Sequence, residues 1–439
     1  MTIFFRSLLS ALLLLLIPGF LPAQVNITVT ELPSMPMATS NNAVCATPTS
    51  IFSFGGIDTS RHSEGIHLHS FRYNAGSNSW ETLPDMPDTL GKVAAAASYV
   101  NGRIYVIGGY HVAPNGNEYT SNKVHRYSLQ WGDWTTDGAP IPTPVDDHVQ
   151  VVWRDSLIFC ITGWSGDGPS GTNVPDVQIY NPEANSWTAA NPVPNTNDYK
   201  VFGAAGTIIG DTIYYFGGAR LGFNFPASNS FVKGAINPSD PTDITWERTV
   251  PNPSVFGYRM AATRRYGKAY WFGGSAITYN YNGLAYSNNA PVPPANIMLS
   301  YDPATGLWDT STVALPMDLR GIGEPGLNVR YIAGGMLDGP EVTDKAWEIF
   351  MSDPNPVEEL ATENALRVFP VPASEALNVS LPGEKLEVVR LYNTTGQLVT
   401  ELAASGSQLR LPVQNLAPGP YIVVAVASGN AYQRLITIQ

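Results

Sequence analysis

The chain has 439 residues, of which 44% are hydrophobic and 11% aromatic; this is too apolar for a disordered chain and long enough for two domains or one large repeat architecture. Its 40 glycines and 36 prolines favour many short strands joined by turns. A formal net charge of −12 at pH 7 repels phosphate backbones, so we expect no nucleic-acid partner.

The first residues have the three regions of a secretory signal peptide. A basic start that ends at Arg6 precedes an apolar run from Leu8 to Phe20, and small residues follow around Ala23. We predict a signal peptide at residues 1–24. No later apolar run reaches the roughly 18 residues that a membrane helix needs, so we expect no transmembrane segment in the mature protein.

A hydrophobic strand that ends in a glycine doublet recurs six times, at intervals of roughly 50 to 60 residues. Glycine suits a strand end that must bend and take unusual φ values. The third copy departs from the pattern, and Trp164 is interpreted as the replacement of its second glycine. The doublets are Gly55-Gly56, Gly108-Gly109, Gly163-Trp164, Gly217-Gly218, Gly273-Gly274 and Gly334-Gly335.

A tyrosine and a tryptophan follow most of the doublets and bracket a turn. Because aromatic rings at both ends of a strand–turn–strand unit bury much apolar area, we predict that they pack between adjacent sheets. The fourth copy keeps Trp246 without its tyrosine. The pairs are Tyr73 and Trp80, Tyr127 and Trp134, Tyr180 and Trp187, and Tyr301 and Trp308.

These doublets and aromatic pairs, in units from Asn41 to Phe350, resemble kelch repeats. The resemblance implies an all-β, six-bladed kelch β-propeller over residues 25–351, built from radially arranged four-stranded sheets. The last unit lacks a fourth strand, while Thr28–Pro36 parallels Ser79–Pro87 in sequence. We therefore predict that the N-terminal strand closes the last blade, since an open ring would expose strand edges.

Residues 352–365 form a polar, proline-bearing linker, and period-2 strand patterns then resume over residues 366–439. We predict a small C-terminal β-sandwich. Through Val368–Ala373, Leu416–Tyr421 and the terminal strand Arg434–Gln439 it resembles the C-terminal sorting domain of type IX secretion substrates in Bacteroidetes. The resemblance implies that residues 366–439 engage the type IX secretion machinery and that the protein is secreted or held on the outer-membrane surface.

Candidate binding residues fall on the face of the disc that carries the long connections between strands 2 and 3 and between blades. One group stands at the start of inner strands and is placed at the channel mouth: Lys92, Asp146, Asp147, His148, Lys200, Tyr258, Arg259, Arg320 and Glu324. A second group lies in the longest loops: Arg220, Phe223, Phe225, Tyr279, Tyr281 and Tyr286.

Each group has two interpretations. Arg259 and Arg320 could grip a ligand carboxylate, or the charges of a solvated channel could pair with one another. The aromatic and amide side chains of the loops suit sugar rings or a protein epitope, or the loops could pack on themselves.

Metal and redox chemistry find little support in the sequence. His67 and His69 are two residues apart on one predicted strand, so both side chains point to the same face and could supply two metal ligands. An exposed strand face is the commoner origin of such spacing. Cys45 and Cys160 fall two blades apart and are interpreted as two buried thiols. We expect no metal and no cofactor, and motifs of common hydrolases and NTPases are missing from the sequence.

Three functions remain open. We favour a monomeric module that binds a glycan or a surface protein, because the repeat is recognisable while no catalytic constellation is. The alternative is a sugar-modifying enzyme that resembles kelch-type sialic acid epimerases or, less well, galactose oxidase-like proteins, which need copper and a tyrosine–cysteine crosslink. A structural spacer is third.

Overall fold

The computed structural model describes residues 25–252, 254–326, 328–352, 366–393, 396–404, 406–427 and 430–439. The predicted signal peptide and residues 353–365 of the predicted linker lie outside the described residues. Within these ranges the regular structure is β, apart from two single-turn 3₁₀ segments, Ser63–Gly65 and Gly168–Ser170.

The strands follow one another in chain order with short connections. Those of the first half are β1 (Asn26–Leu32), β2 (Ala43–Thr47), β3 (Ser50–Ile57), β4 (Ile66–Asn74), β5 (Ser79–Leu83), β6 (Val93–Val100), β7 (Arg103–Val112), β8 (Glu118–Thr120), β9 (Val124–Ser128), β10 (Asp133–Thr135), β11 (Val149–Trp153), β12 (Leu157–Ile161), β13 (Trp164–Ser165), β14 (Thr172–Asn173), β15 (Val177–Asn181) and β16 (Ser186–Ala189). The next are β17 (Phe202–Ile209), β18 (Thr212–Ala219), β19 (Phe231–Asn237), β20 (Asp240–Thr249), β21 (Ala261–Arg265), β22 (Lys268–Phe272), β23 (Ile297–Asp302), β24 (Leu307–Thr312), β25 (Val329–Ala333), β26 (Met336–Leu337), β27 (Glu341–Val342) and β28 (Ala346–Ser352). The tail adds β29 (Arg367–Phe369), β30 (Ala376–Ser380), β31 (Leu386–Asn393), β32 (Leu398–Ala403), β33 (Gln408–Pro412), β34 (Gly419–Ala427) and β35 (Asn430–Ile438).

Six antiparallel sheets form the blades of a propeller, as the repeat predicts. The first five are β2-β3-β4-β5, β6-β7-β9-β10, β11-β12-β15-β16, β17-β18-β19-β20 and β21-β22-β23-β24. Their first strands contact one another from blade to blade around the axis. The all-β, six-bladed kelch fold is therefore confirmed.

The sixth blade is completed by the N-terminal strand. β1 runs antiparallel to β28 along its whole length, from Asn26 opposite Ser352 to Leu32 opposite Ala346. β25 lies on the other side of β28, and the innermost strand is reduced to a bridge between Gly323 and Tyr331. The two ends of the propeller sequence thus meet in one sheet.

The tyrosine–tryptophan pairs join neighbouring blades. Tyr73 and Trp80 face each other across β4 and β5 with ring centroids 5.5 Å apart. The indole N–H of Trp80 donates to the carbonyl oxygen of Pro33 at 2.8 Å, just as that of Trp134 donates to the carbonyl oxygen of Pro84 at 2.9 Å. Packing between adjacent sheets is confirmed, and Pro33 takes in the last blade the place that Pro84 takes in the first.

The glycine doublets also join blades. In the third blade the sequence interpretation is wrong by one residue, because the structure places the doublet at Thr162-Gly163 and not at Gly163-Trp164. The second residue of each doublet donates its backbone N–H to a carbonyl of the next blade, as from Gly109 to Val145 at 3.0 Å. In the third blade Gly163 makes this bond and Thr162, with φ 51°, fills the first position. The Thr162 hydroxyl accepts the N–H of Val201 at 2.9 Å, which helps to offset the cost of left-handed backbone at a β-branched residue.

A ring of six residues closes the channel on the propeller axis. Each stands at the start of the first strand of its blade or just before it, and has a left-handed φ between 49° and 68°. Backbone bonds link several of them, as from Gly203 to Asp147 at 2.7 Å and from Arg259 to Gly203 at 2.8 Å. We call this set the axial ring: Asn41, Ala94, Asp147, Gly203, Arg259 and Asp318.

The tail folds as two sheets that share one core. The sheets are β29-β30-β33 and β32-β31-β34-β35. Leu377, Val379, Leu391, Leu411 and Val423 are among the fully buried side chains between them. Alternating burial along β34 shows the period-2 pattern that predicted these strands.

Candidate functional site

A cavity of about 510 Å³ lies on the upper face, which we define as the face that carries the strand 2–3 connections. Its floor is the axial ring, through Asp147 and Arg259. Its walls come from connections in blades 2 to 5. The polar and aromatic side chains of these walls are Tyr110, Asn117, Glu118, Tyr119, Thr120, Asp146, Trp164, Asp167, Phe202, Phe225, Asn280 and Tyr286.

The floor of this upper cavity is a buried charge network. The Arg259 guanidinium donates to Asp147 at 2.7 Å and to Asp318 at 2.9 Å, and Arg320 reaches Asp147 at 3.0 Å from below. Asp318 also accepts the Ser40 hydroxyl at 2.6 Å. Two guanidinium groups and two carboxylates leave the network without net charge, so the floor offers no free cation to a ligand.

Two adjacent carboxyls have pKa values that move in opposite directions. Burial raises the pKa of Asp146 well above its usual range, and the neighbouring charge of Asp147 adds to the effect. Burial also tends to raise the pKa of Asp147, but the positive charges of Arg259 and Arg320 outweigh burial and hold that pKa below its usual value. The two adjacent carboxyls therefore differ in acidity, and Asp146 holds its proton to a higher pH than Asp147 does.

The carboxyl side of the cavity belongs to blades 2 and 3. Thr120 donates its hydroxyl to Oδ2 of Asp146 at 3.1 Å. Glu118, on the short strand β8, has a pKa that burial raises. Both acids are therefore able to share protons with the hydroxyl groups of a ligand.

The other side of the cavity is aromatic. Phe225 packs at 5.5 Å against Trp164, at 5.4 Å against Phe202 and at 4.9 Å against Tyr286, measured between ring centroids. All three contacts are edge-to-face, which fixes the rings in place. Blades 3, 4 and 5 each contribute, so the wall exists only in the folded propeller.

The structure brings some of the predicted residues together. Asp146, Asp147, Arg259, Phe225 and Tyr286 line the upper cavity. Their proposed role in binding stays a prediction.

Three residues predicted at the channel mouth lie instead below the axial ring. His148, Arg320 and Glu324 line a lower cavity of about 330 Å³ that shares no residue with the upper one. His148 follows Asp147 and Arg320 lies two positions after Asp318, so both are already on the inner strand below the ring. Burial lowers the pKa of His148 to about 4, which keeps its imidazole neutral.

Other predicted mouth residues point away from the upper cavity. Lys92 is buried beside Asp88, 2.9 Å from its carboxylate, in the interface between blades 1 and 2. Tyr258 is buried under the long loop between β22 and β23 (residues 273–296) and donates its hydroxyl to the carbonyl oxygen of Tyr279 at 3.3 Å. Lys200 is half-buried but is not part of either cavity lining.

Most of the loop residues also lie outside the cavity. Tyr279 is completely buried and Tyr281 is half-buried, because the loop packs on itself. Arg220 lies 3.7 Å from Asp198, and Phe223 is 90% exposed at a loop tip. The self-packing alternative therefore describes these loops better, with Phe225 and Tyr286 as the exceptions.

The alternative in which the channel charges pair with one another describes Arg259 and Arg320 in the structure, while a grip on a ligand carboxylate stays an untested prediction. Both guanidinium groups are already bound to Asp147, and Arg259 is only 1% exposed. Gripping a ligand carboxylate would require breaking these buried pairs, which is costly.

Sequence reasoning missed Glu118, Thr120, Trp164 and Phe202. Trp164 carried a signal, because it departs from the doublet pattern where the other repeats keep glycine. Glu118 and Thr120 lie on β8, an extra strand between strands 2 and 3 of blade 2. An insertion at that point of the repeat was the available clue.

The histidine and cysteine positions are clear in the structure. His67 and His69 stack with ring centroids 5.0 Å apart, and His69 contacts Asp85 at 3.0 Å. Within the described ranges, no three histidine, cysteine or acidic side chains are arranged to hold a metal ion. Cys45 and Cys160 are free and buried in strands of blades 1 and 3, so neither reaches the upper cavity, where an oxidase-like crosslink would need a thiol.

We expect Asp146→Asn to stabilise the protein at neutral pH. Because the folded-state pKa of Asp146 is raised above the unfolded value, its contribution to stability is present at low pH and is lost as pH rises through the folded pKa. Asparagine keeps a hydrogen-bond acceptor for Thr120 without this loss. Urea unfolding at pH 7 should give a gain of about 0.5–2 kcal/mol that shrinks towards pH 4; a loss of stability at pH 7 would mean that Asp146 is ionised there.

Comparisons with known protein families agree with this architecture. The KLHDC2/KLHL20/DRC7 Kelch-repeats domain matches residues 26–218. The Secretion system C-terminal sorting domain matches residues 367–439. No helix within the described ranges is long and apolar enough to cross a membrane.

Curated relatives share the repeats at low identity. Beta-scruin of Limulus polyphemus is 25% identical over 287 residues, which are 64% of this chain and 29% of that protein. Kelch-like protein 34 of Homo sapiens is 23% identical over 302 residues, 66% of this chain and 42% of that protein. Kelch-like protein terF of Aspergillus terreus is 32% identical over 154 residues, 32% of this chain and 30% of that protein. The chain thus spans less than half the length of these relatives.

Two solved structures are similar in fold. YjhT aligns with a TM-score of 0.57 and 15% identity over 72% of this chain and 95% of that one. A fungal alcohol oxidase, solved in complex with copper, aligns with a TM-score of 0.52 and 14% identity over 95% of this chain and 99% of that one. At these identities the likeness concerns the fold alone. The two family matches show that the chain contains kelch repeats and carries a secretion-system C-terminal sorting domain, and the sorting domain supports a secreted or cell-surface location.

Proposed function

We propose that this kelch protein binds a neutral, hydroxyl-rich glycan in the upper cavity. The observation that carries the proposal is the pairing of an aromatic wall with buried carboxyls above a floor of balanced charge. A sugar ring has an apolar C–H face that can pack on aromatic rings, and hydroxyl groups that can bond to Asp146 and Glu118. The volume of about 510 Å³ lies within the range of small-ligand sites.

The charge of the site favours a neutral ligand over an anionic one. Arg259 is the cation of the floor, and it is held by Asp147 and Asp318. Asp167 on the wall would repel a ligand carboxylate. We therefore infer that neutral sugars bind better than sialylated ones.

The shape of the site favours a glycan over a surface protein. The aromatic rings line a concave cavity closed below by the axial ring, whereas a protein epitope needs a broad accessible patch. A surface protein is the alternative, and it would be supported if binding depended on Phe223 at the exposed loop tip.

Calorimetric titration with neutral oligosaccharides tests the proposal. Tyr286→Ala removes one face of the aromatic wall and should weaken binding about tenfold or more, since loss of an aromatic contact costs about 1–3 kcal/mol. Phe223→Ala is the matched control, because Phe223 lies outside the cavity. This variant should bind the oligosaccharides with the affinity of the wild type. If Tyr286→Ala bound the oligosaccharides as tightly as the wild type does, the binding site would lie elsewhere.

A sugar-modifying enzyme is the second candidate, and one observation favours it. Asp146 and Asp147 are adjacent carboxyls whose pKa values are shifted in opposite directions, an arrangement that acid–base catalysis uses. The bound glycan can be followed by NMR during long incubation. Conversion by the wild type that Asp146→Asn abolishes would support catalysis, and an unchanged glycan would support binding alone.

A further inference from the structure

The lower face of the propeller is contacted by the tail. Arg390 on β31 donates to the carboxylate of Asp155 at 3.1 Å, in the turn between β11 and β12. Gly396 approaches Thr47 so closely that a Cβ built on the glycine would lie 3.2 Å from the Thr47 Cβ. Gly326, before β25, approaches Gln433 on β35 in the same way.

These contacts reach across the propeller axis. Thr47 belongs to blade 1, Asp155 to blade 3, and Gly326 to blade 6. In a six-bladed ring, blades 3 and 6 lie on opposite sides of the axis. A domain that touches both must cover the centre of the lower face.

The centre of that face is the mouth of the lower cavity. Tyr99 and Asp155 are part of its lining, and Asp155 is the residue that Arg390 binds. Tyr99 also lies beside Tyr392 of the tail. Burial raises the pKa of Tyr99, and the neighbouring Tyr392 adds to this effect. The buried side chains of the axial ring separate this cavity from the upper one, so the lower face is its open side.

We propose that the sorting domain docks on the lower face of its own propeller and closes the lower cavity. A tether of modest length holds the two domains at an effective concentration near the millimolar range, so a few contacts suffice for docking. The cavity then opens to solvent only when the tail leaves. The proposal is independent of glycan binding, which concerns the opposite face.

An engineered disulfide tests the docked position in the full chain. Thr47→Cys with Gly396→Cys places two Cβ atoms 3.2 Å apart, slightly closer than the roughly 3.5–4.5 Å of a disulfide, so the bond can form after a small local shift. Mass spectrometry under non-reducing conditions should find the two peptides linked within one chain. Thr47→Cys with Gly406→Cys is the control and should not link, because Gly406 has no heavy atom within 4 Å of its added Cβ. Links between chains, or equal linking in both variants, would overturn the proposal.

A native thiol provides a second readout that needs no new cysteine. Cys45 lines the lower cavity, whereas Cys160 does not and serves as the internal standard. Asp155→Arg should repel Arg390, release the tail and raise the alkylation rate of Cys45 relative to Cys160 by about tenfold or more. Adding Arg390→Glu should restore part of the protection. An unchanged Cys45 rate in Asp155→Arg would contradict closure by the tail.

Discussion

Replacing Arg259 by alanine is expected to lower the free energy of unfolding by about 3–5 kcal/mol, the usual cost of removing one partner from a buried ion pair. Arg259 is 1% exposed and binds Asp147 and Asp318. After the change Asp147 keeps Arg320, but Asp318 is left buried with only the Ser40 hydroxyl. Urea unfolding of the purified full chain measures the difference.

Arg220→Ala is the matched control, because Arg220 is partly exposed and lies 3.7 Å from an exposed Asp198. Its effect should stay within about 1 kcal/mol. The double variant Arg259→Ala with Asp318→Ala should recover part of the lost stability, since it removes the unpaired carboxylate. If Arg259→Ala cost no more than Arg220→Ala, the axial network would not be a structural element.

Deleting residues 25–33 is expected to open the ring. β1 pairs with β28 at seven positions, and Val25, Ile27 and Val29 pack on the core of the last two blades. Losing this ladder and these side chains should cost on the order of 5 kcal/mol or more and expose the edge of β28. Light scattering and thermal melting should show aggregation and a much lower Tm.

The control for this deletion keeps the strand and weakens only one contact. Trp80→Phe removes the indole bond to Pro33 and should lower stability by about 0.5–1.5 kcal/mol without aggregation. A deleted protein that melts as cooperatively as the parent would show that the sixth blade does not need β1.

The number of blades was predictable because the repeat signals themselves make the contacts between blades. The second doublet residue donates to the next blade, and the indoles of Trp80, Trp134, Trp187 and Trp246 donate to the preceding one. A local pattern therefore reports a global arrangement. Pro33 and Pro84 occupy matching positions in sequence and matching hydrogen bonds in the structure.

The axial ring could not be predicted in the same way. Its members share a backbone conformation, and their side chains range from Gly203 and Ala94 to Arg259. Because no residue type marks the position, Arg259 and Arg320 looked equivalent in sequence. Arg259 is a ring residue, whereas Arg320 lies two residues beyond the ring residue Asp318 and faces the lower cavity.

The candidate site was predictable in location but not in membership. The connections between strands 2 and 3 pointed to the upper face, where Tyr286 and Phe225 do meet. Which loop residues turn inward depends on packing within each loop. Tyr279 is completely buried in the loop, whereas Tyr286 lines the upper cavity. Sequence spacing does not encode that choice.

A glycan array probed with the wild-type protein and with Tyr286→Ala is the decisive test of neutral-glycan binding in the upper cavity. If the upper cavity binds neutral glycans, these glycans should retain the wild-type protein, their sialylated counterparts should retain it less, and Tyr286→Ala should lose about nine-tenths or more of the neutral signal. Preferential retention on sialylated glycans, or neutral-glycan signals that Tyr286→Ala leaves unchanged, would contradict it.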